Sequence, residues 1–518
     1  MMTPRGRTAG LGYLTWCAVA LLAIGLFTYL SRARTAITSD VELDYGEGTV
    51  YWQTANLTNL KQGVHPLGVY PYILFNYTPL YHVETRIMGL LFPDLLAAGR
   101  LVSVLSMLGI CSMAGLIVWQ ASRGWARWPC ALTAALLLLH LPNTDWSLLM
   151  RVDIAGILFV YIGLLFFVGA VKAPWKAYAA FGFFVLAIYS KQTLIAAPTA
   201  CLACLLVDSP RRALRVMLAF AAIGFAILLL LNGLTDWEWA RHFFEYNVSP
   251  AAPRHGLWMA WDLCRRSVTI VPLGMAGMAL TARMLILAKK RTGSTTVGAI
   301  RAGLRGESLL RTEIVFAVYL SVSALASVSI LKVGANQNYL LEPLFACCVL
   351  TGLVLYNSLS FKKQGAVGWM PARLAVVAAV LFLATTTTGL AVDPTGPVEF
   401  IKARQSAHDA LLAQIRQIPG DVYSEEMTLL LQADKQVPAE PASVTFLAKL
   451  HLWDEHPLVE RFRTQFFSAL AVNTSLDDEE HFSPAVRAEI KSRYELREVI
   501  GPYLLYRPKT SPVSTNGQ

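Results

Sequence analysis

The sequence predicts an all-α polytopic membrane bundle of about eleven transmembrane helices, N-terminus in and C-terminus out, with a small soluble α/β domain at its C-terminal end. Three observations carry this. The 518 residues are 55% hydrophobic and only 15% charged, where a soluble domain carries about 25% charged residues. The apolar residues are gathered into runs such as 11–30, 131–141, 154–171 and 372–390 that hold almost no charge. Many are ~18 residues or longer, enough to cross a ~30 Å hydrocarbon core, where an unhydrated backbone must be helical. The basic residues behind the net charge of +10 sit in short loops between the runs, which marks orientation signals rather than a nucleic-acid surface.

Spanning helices are expected near 11–30, 99–119, 129–142, 151–171, 177–190, 192–207, 214–233, 267–288, 312–331, 339–358 and 372–392. The first is read as a retained helix, since no small-residue cleavage site follows it. The stretch 72–92 is also apolar but contains Asn76, His82, Glu84 and Arg86, which a full crossing would bury at a cost of a few kcal/mol. If 72–92 lies in the interface, the loops with Arg123/Arg127, Lys172/Lys176, Arg211/Arg212/Arg215, 289–311 and Lys362/Lys363/Arg373 share one side with the N-terminus. That side is the denser in Lys and Arg and is therefore cytoplasmic. A crossing at 72–92 would erase the bias. The outer side then holds a first loop at 31–98, a second at 234–266 and the C-terminal tail.

Two domains follow: a membrane domain at 1–392 and a soluble one at 393–518. The tail carries more than half of the chain's Asp and Glu, and helical patterns at 398–418, 458–470 and 485–493 alternate with strand-like runs at 421–424 and 498–506. The eight cysteines fall nearly all inside apolar runs; Cys201 and Cys204 lie mid-helix with no second pair to complete a zinc site, so they read as packing residues.

Polar residues at the outer helix ends are the candidates for chemistry, because lipid-facing surfaces do not need them. Asp40, Glu42, Asp44 and Glu47 place four carboxylates just after the first helix. Asp44 and Glu47 have capping-box spacing for a helix over 49–60; Gly46 and Gly48 equally permit close approach of backbone to a ligand. Tyr81 and His82 follow Pro79 as either an interfacial anchor or the lip of a substrate groove. Arg151 and Asp153 are two apart, so they do not share a helix face as a local ion pair, and Asp153 should point into the bundle. Lys191 and Gln192 lie between two helices, where the lysine either snorkels or holds a phosphate. Asn336, Asn338 and Glu342 would suit sugar hydroxyls, or form a polar turn before a helix. Arg241, His242 and Arg254 are basic residues of the second outer loop, solvated or in contact with a phosphate. All five clusters and the basic loop are expected on one membrane face.

In this order, D-Y-G-E-G, Y-x-P-L-Y, R-x-D, K-Q-T-x-x-A-A-P and N-Q-N-Y-x-L-E, the chain resembles the GT-C superfamily of integral membrane glycosyltransferases over about residues 11–345. Within it, the chain is similar to the bacterial members near the aminoarabinose transferases and protein O-mannosyltransferases. The resemblance implies a cell inner membrane enzyme with its site toward the periplasm or exterior. It implies a polyprenyl-phosphate-linked sugar donor, inverting transfer to a glycolipid, polysaccharide or protein, and a catalytic base in the first outer loop. On this chain that base is Asp44 or Glu47; Asp44 is assigned as base and Glu47 as the partner orienting donor or acceptor, although Tyr45 and Gly46 separate what is commonly an adjacent Asp-Glu pair. Arg151 and Asp153 match the family's R-x-D, and Lys191 resembles a donor-phosphate contact. No D-x-D is present, so no cofactor is expected and a divalent metal is not indicated. A transporter or lipid flippase without bond chemistry is the competing class; it would place charges near the bilayer midplane and show inverted repeats, and neither is visible.

Overall fold

A computed structural model describes residues 4–360, 396–473 and 475–509. The expected spanning helix at 372–392 and the domain boundary at 392/393 lie outside these residues. Five described helices are long and apolar enough to cross a membrane: Leu95–Ala121, Pro210–Leu234, Ile270–Thr292, Ser308–Leu331 and Gln337–Ser360. Val152–Val168, Trp175–Ser190 and Ala196–Asp208 are shorter apolar helices beside them, and the first helix runs Pro4–Ile37. Each coincides with an expected span. Gln337–Ser360 and Pro210–Leu234 mark two environments: 83% of the most apolar window is packed inside the protein in the first, 11% in the second. Both are apolar all round, so the first is a central helix and the second turns Leu218, Phe225 and Leu230 outward to lipid.

The 72–92 stretch has a single short helix, Leu80–Met88. At 1.5 Å per residue it reaches about 14 Å, too little to cross. It leads into exposed Leu90, Leu91 and Phe92, as a juxtamembrane segment should. Two expected loops are helical instead. Pro253–Arg266 lies in the 234–266 segment, expected as the second outer loop, and exposes Leu257, Trp258 and Trp261, the composition of an interfacial helix. Thr296–Arg305 interrupts the basic 289–311 loop. The Thr295 hydroxyl caps it, accepting from the Gly298 N–H at 3.0 Å. Arg305 pairs with Asp208 at 2.6 Å, and Arg311 donates to the carbonyls of Leu304, Val168 and Gly306, which ties the basic loops together at one end of the bundle.

The soluble part forms a four-stranded sheet from β1 (Val422–Ser424), β2 (Ala469–Val472), β3 (Tyr494–Ile500) and β4 (Tyr503–Pro508), in the order β1-β2-β4-β3. β1 and β2 are parallel; the other pairings are antiparallel. The strand-like run at 498–506 is a hairpin, turned at Gly501 with φ +57°, a conformation that favours glycine. The helix expected over 458–470 stops at Arg463, and its end becomes β2. Gly396–Gln417 and Pro484–Arg493 match their predicted helices.

This domain is built onto the first loop. Tyr72 pairs its backbone with the C-terminal chain, its N–H donating to Pro438 O at 2.8 Å and its carbonyl accepting from Glu440 N–H at 3.3 Å. Trp453 Nε1 donates to Leu67 O at 3.0 Å. Ile73 and Phe75 share one apolar cluster with Leu411, Ile415 and Val422. Two buried carboxyls sit at the same seam. Glu42 accepts from the Thr428 hydroxyl at 2.5 Å, and Glu426 accepts from the Tyr503 hydroxyl at 3.2 Å. Burial pushes the Glu426 carboxyl up to about 7, with Arg404 opposing and Glu425 adding. Burial first, then the charge of Glu426, holds Glu42 well above the ordinary carboxylate range.

The loop itself hangs on Arg100. Its guanidinium and Glu47 are both fully buried. Arg100 Nε and Nη2 grip the two Glu47 oxygens at 2.9 and 2.7 Å. The remaining donors go to the carbonyls of Ala36, Ser39 and Val41 at 2.7–2.8 Å. All five guanidinium N–H groups are used. Glu47 also accepts from the backbone N–H of Met150 at 2.7 Å and of Leu43 at 2.8 Å.

Two predictions follow from this anchoring. Arg100→Ala leaves a buried carboxylate unpaired, a change that costs about 3–5 kcal/mol; the full chain in detergent should unfold at a clearly lower temperature, and a wild-type midpoint would contradict the anchor. The two seam carboxyls keep protons in the folded chain that the unfolded chain releases above the ordinary value of 4.5. The Glu426 contribution is full below that pH and lost as pH rises through about 7, and that of Glu42 is lost as pH rises through its own raised value. The unfolding midpoint should therefore be higher at pH 5 than at pH 8, with a smaller difference in Glu426→Gln; an unchanged pH dependence in that variant would exclude Glu426 as a source.

Candidate active site

The membrane dictates where polar chemistry can lie. A charge inside the bundle needs a partner, so ionisable side chains collect at helix ends and pair across helices. Arg151 precedes the Val152–Val168 helix with an extended backbone, and Asp153 falls in its first turn. The two side chains accordingly go different ways. Arg151 Nη1 reaches Asp44 Oδ2 at 3.3 Å. Asp153 pairs with Lys191 and accepts from Asn338 Nδ2 at 2.7 Å. Lys191 in turn lies 4.7 Å from the Tyr339 ring centre, on whose ring Lys332 also bears at 5.3 Å. Arg151 is flanked by the Trp146 and Tyr77 rings at 5.2 and 5.9 Å, within cation–π range. Glu342, in the first turn of its helix, accepts from the Tyr319 hydroxyl at 2.9 Å.

Asp153, Lys191, Asn338, Tyr339 and Glu342 line one small pocket. Its free space is about 20 Å³, room for roughly one water. Asn338 Oδ1, on its wall, is buried with no hydrogen-bond partner among the described residues, as are Arg151 Nε, Ser190 Oγ and Gln192 Oε1 in the chain segments that carry Asp153 and Lys191. Buried polar atoms are nearly always satisfied, so such a group of orphans marks a place where a polar molecule belongs.

The glycines of D-Y-G-E-G have an intramolecular purpose. A Cβ on Gly46 would collide with the Arg151 guanidinium, and one on Gly48 would come within 2.9 Å of Met427 Cβ and 3.2 Å of Thr428 N. The close approach they permit is that of Arg151 and of the C-terminal domain, where a ligand was expected. The capping-box reading does not hold either. The Gly46–Ala55 helix has Tyr45 at its N-cap position with no side-chain cap. Asp44 Oδ2 accepts from the Gly46 N–H at 3.0 Å, and Glu47 is consumed by Arg100. Of this pair Asp44 is the one left accessible, with 22% of its side chain exposed, while Asp40 at the start of the loop is exposed to solvent. Its Oδ1 takes no hydrogen bond among the described residues. It lines a cavity of about 280 Å³ between the first loop and the C-terminal domain, together with Glu42, Tyr45 and Glu426.

Other expected residues stand apart from this group. Tyr81 is fully buried, its hydroxyl donating to Gly99 O at 2.8 Å. His82 is fully buried against Thr54 Oγ1 at 2.8 Å, with Nε2 unpartnered. Both pack the floor of the first loop rather than line a groove. Gln192 is brought near, its Nε2 donating to Asn76 O at 3.1 Å. His242 is buried as a splint between loops, accepting from Phe75 N–H at 3.0 Å and meeting His65 O at 2.8 Å. Burial pushes its imidazole down to about 4, so it carries no charge for a phosphate. Arg241 is exposed and paired with Glu238 at 3.1 Å, Arg254 is exposed on the second outer loop, and Asn336 is an exposed cap accepting from the Gln337 N–H. Arg100, Lys332 and the C-terminal lining of the cavity were not anticipated. An arginine at the head of an apolar helix reads as a headgroup anchor, and nothing in sequence spacing links residues near 426 to residues near 42.

Among the described residues, no three His, Cys, Asp or Glu side chains converge as a metal site would require. Side-chain contacts link the carboxylate loop to Arg151, and Asp153 to Lys191 and Asn338, and the same loop touches the C-terminal domain.

Comparison with known proteins agrees with this architecture. The family described as dolichyl-phosphate-mannose-protein mannosyltransferase matches residues 76–234, a segment that contains Arg151, Asp153 and Lys191. No curated protein matches by sequence. Among solved structures, ArnT from Cupriavidus metallidurans bound to undecaprenyl phosphate superposes at a TM-score of 0.58 and 13% identity, covering 96% of this chain and 99% of its own. The apo state of the same protein gives 0.52 and 12%, covering 96% and 98%. The archaeal oligosaccharyltransferase AglB from Archaeoglobus fulgidus is more distant, at 0.46 and 12%, covering 95% of this chain and 75% of its own. Over nearly its whole length the chain therefore shares the fold of the membrane protein ArnT, and a segment of it matches the mannosyltransferase family model.

Proposed function

We propose that the chain is an inverting glycosyltransferase that moves a sugar from a polyprenyl-phosphate donor to a glycolipid, polysaccharide or protein acceptor, working at the outer face of a bacterial cytoplasmic membrane. The observation that carries the reading is the line Asp44–Arg151–Tyr77 and, beside it, Asp153–Lys191–Asn338: an accessible carboxylate, then cations and an amide whose oxygen is unpartnered among the described residues. Undecaprenyl phosphate bound to ArnT, a protein of the same fold, supports a lipid phosphate as the donor's leaving group.

Inversion requires a base on the face of the sugar opposite the leaving group. Asp44 takes the acceptor proton on its unengaged Oδ1, while Gly46 N–H and Arg151 hold Oδ2. Lys191 and Arg151 take the charge of the departing phosphate. Both cations are buried and preorganised by carboxylates, so they need little rearrangement when charge develops. Glu47 holds the loop rather than a substrate, and no cofactor enters this scheme. The closed pocket around Lys191 has to open for a phosphate, which the Lys191–Asp153 pair permits by exchanging one anion for another.

The test uses the full chain in proteoliposomes with a pool of undecaprenyl-phosphate-linked sugars, reading release of undecaprenyl phosphate. Asp44→Asn should slow release at least ~100-fold, the usual worth of a general base, without lowering the unfolding temperature. Gly46→Ala, which drives Arg151 off Asp44, should be impaired as well. Lys191→Ala should weaken undecaprenyl phosphate binding about tenfold, a loss of ~1.4 kcal/mol. Full activity in folded Asp44→Asn would refute the assignment of the base, and solute flux without bond cleavage would move the chain to the transporter class.

A further inference from the structure

We propose that the cavity between the first loop and the C-terminal domain is the acceptor subsite, and that it takes a neutral sugar unit. The proposal rests on the reading of Asp44 as base. Asp44 is shared: Arg151 and the donor-side pocket lie to one side of it, and the cavity opens to the other. A hydroxyl bound in the cavity therefore meets the base on the side away from the phosphate-binding cations, as inversion demands.

Volume and lining set the ligand class. About 280 Å³ is close to the lower limit of ~300 Å³ for small-molecule pockets, enough for one ring and too little for a lipid tail or a folded peptide. Glu42 and Glu426 hold on to their protons, so among the lining carboxyls and guanidinium the charges are those of Asp44 and Arg404, which offset one another and favour a neutral ligand. The carboxyl of Glu426 is the pointer to a ligand. The residue is 4% exposed and lines the cavity, and its Oε2 has no hydrogen-bond partner among the described residues. A buried carboxyl oxygen without a partner carries a desolvation cost that a ligand hydroxyl removes. With its carboxyl pushed up to about 7, Glu426 can both donate to and accept from sugar hydroxyls.

Aromatic walls complete the match. Tyr45 is fixed by its hydroxyl, which donates to Glu440 and accepts from the Ala442 N–H at 3.1 Å. Its ring, 37% exposed, meets His481 edge-on at 4.8 Å. An apolar ring face beside carboxyl and amide groups (Asn473 lies at the rim) suits the mixed faces of a pyranose. Five of the nine lining residues come from the C-terminal domain, which gives that domain a role in choosing the acceptor.

The experiment titrates the full chain in detergent with neutral methyl glycosides of glucose, mannose, galactose and N-acetylglucosamine, followed by saturation-transfer NMR. Undecaprenyl phosphate binding is measured in parallel. At least one glycoside should bind saturably. Its Kd should rise tenfold or more in Glu426→Ala, and equally in Asn473→Trp, which fills the cavity without removing a buried group. Undecaprenyl phosphate should bind both variants as it binds the wild type. A chain that binds undecaprenyl phosphate but no glycoside overturns the subsite, as does glycoside binding that survives Asn473→Trp. Binding of an amine-bearing sugar alone overturns the neutral class. Glycoside binding without undecaprenyl phosphate binding leaves the subsite standing and removes the donor reading instead.

Discussion

The buried grip of Arg100 on Glu47 is the contact on which the rest of the site depends. Two opposite charges are taken wholly out of water, a large desolvation cost that only complete hydrogen bonding offsets. Here it is complete: each guanidinium N–H has an acceptor, and Glu47 accepts from Met150 and Leu43 besides. The geometry draws four chain segments to one point: the end of the first helix, the carboxylate loop, the head of the Leu95–Ala121 helix and the turn before Arg151. With that point pinned, Asp44 and Arg151 must face one another. Gly46 then has no room for a side chain, because Arg151 occupies it.

The same loop has a second obligation. Gly48 meets Met427, Glu42 meets Thr428 and Tyr45 meets Glu440, so the carboxylate loop divides between two neighbours. Arg151 and Arg100 hold it from the membrane side, and the C-terminal domain holds it from the other. Asp44 sits where these constraints cross, and that position exposes one of its oxygens while the other is engaged. A residue held from both sides is preorganised without being buried, the combination a proton acceptor at a membrane surface needs.

Legibility in the sequence followed the strength of the local signal. The apolar runs predicted every described spanning helix, because length and hydropathy are summed over many residues. The 72–92 stretch, set aside by charge bias, a property of loops rather than of the stretch itself, forms only the short helix Leu80–Met88. The strand-like run at 498–506 hid a hairpin, since alternation does not announce a turn as tight as the one at Gly501. Within the site, Asp44, Arg151, Asp153, Lys191, Asn338 and Glu342 were singled out as helix-end polar residues and are brought together. Tyr81, His82 and His242 were singled out by the same logic and serve packing. Type and position along a helix are visible in one dimension; whether a side chain turns to a cavity or to a neighbour is not.

The sequence by itself therefore determined that the chain is a helical membrane bundle with an acidic α/β tail, and that its polar residues sit at helix ends, because the hydrocarbon core allows little else. Which carboxylate stays free and which is consumed was decided only by tertiary structure. Asp44 and Glu47 are three residues apart and chemically alike, and the difference between them is the placement of Arg100, more than fifty residues away. The cavity beside Asp44 was likewise invisible, since its walls come from segments nearly four hundred residues apart in the chain. Contacts of that range carry no local pattern; they exist only once packing has chosen which surfaces meet.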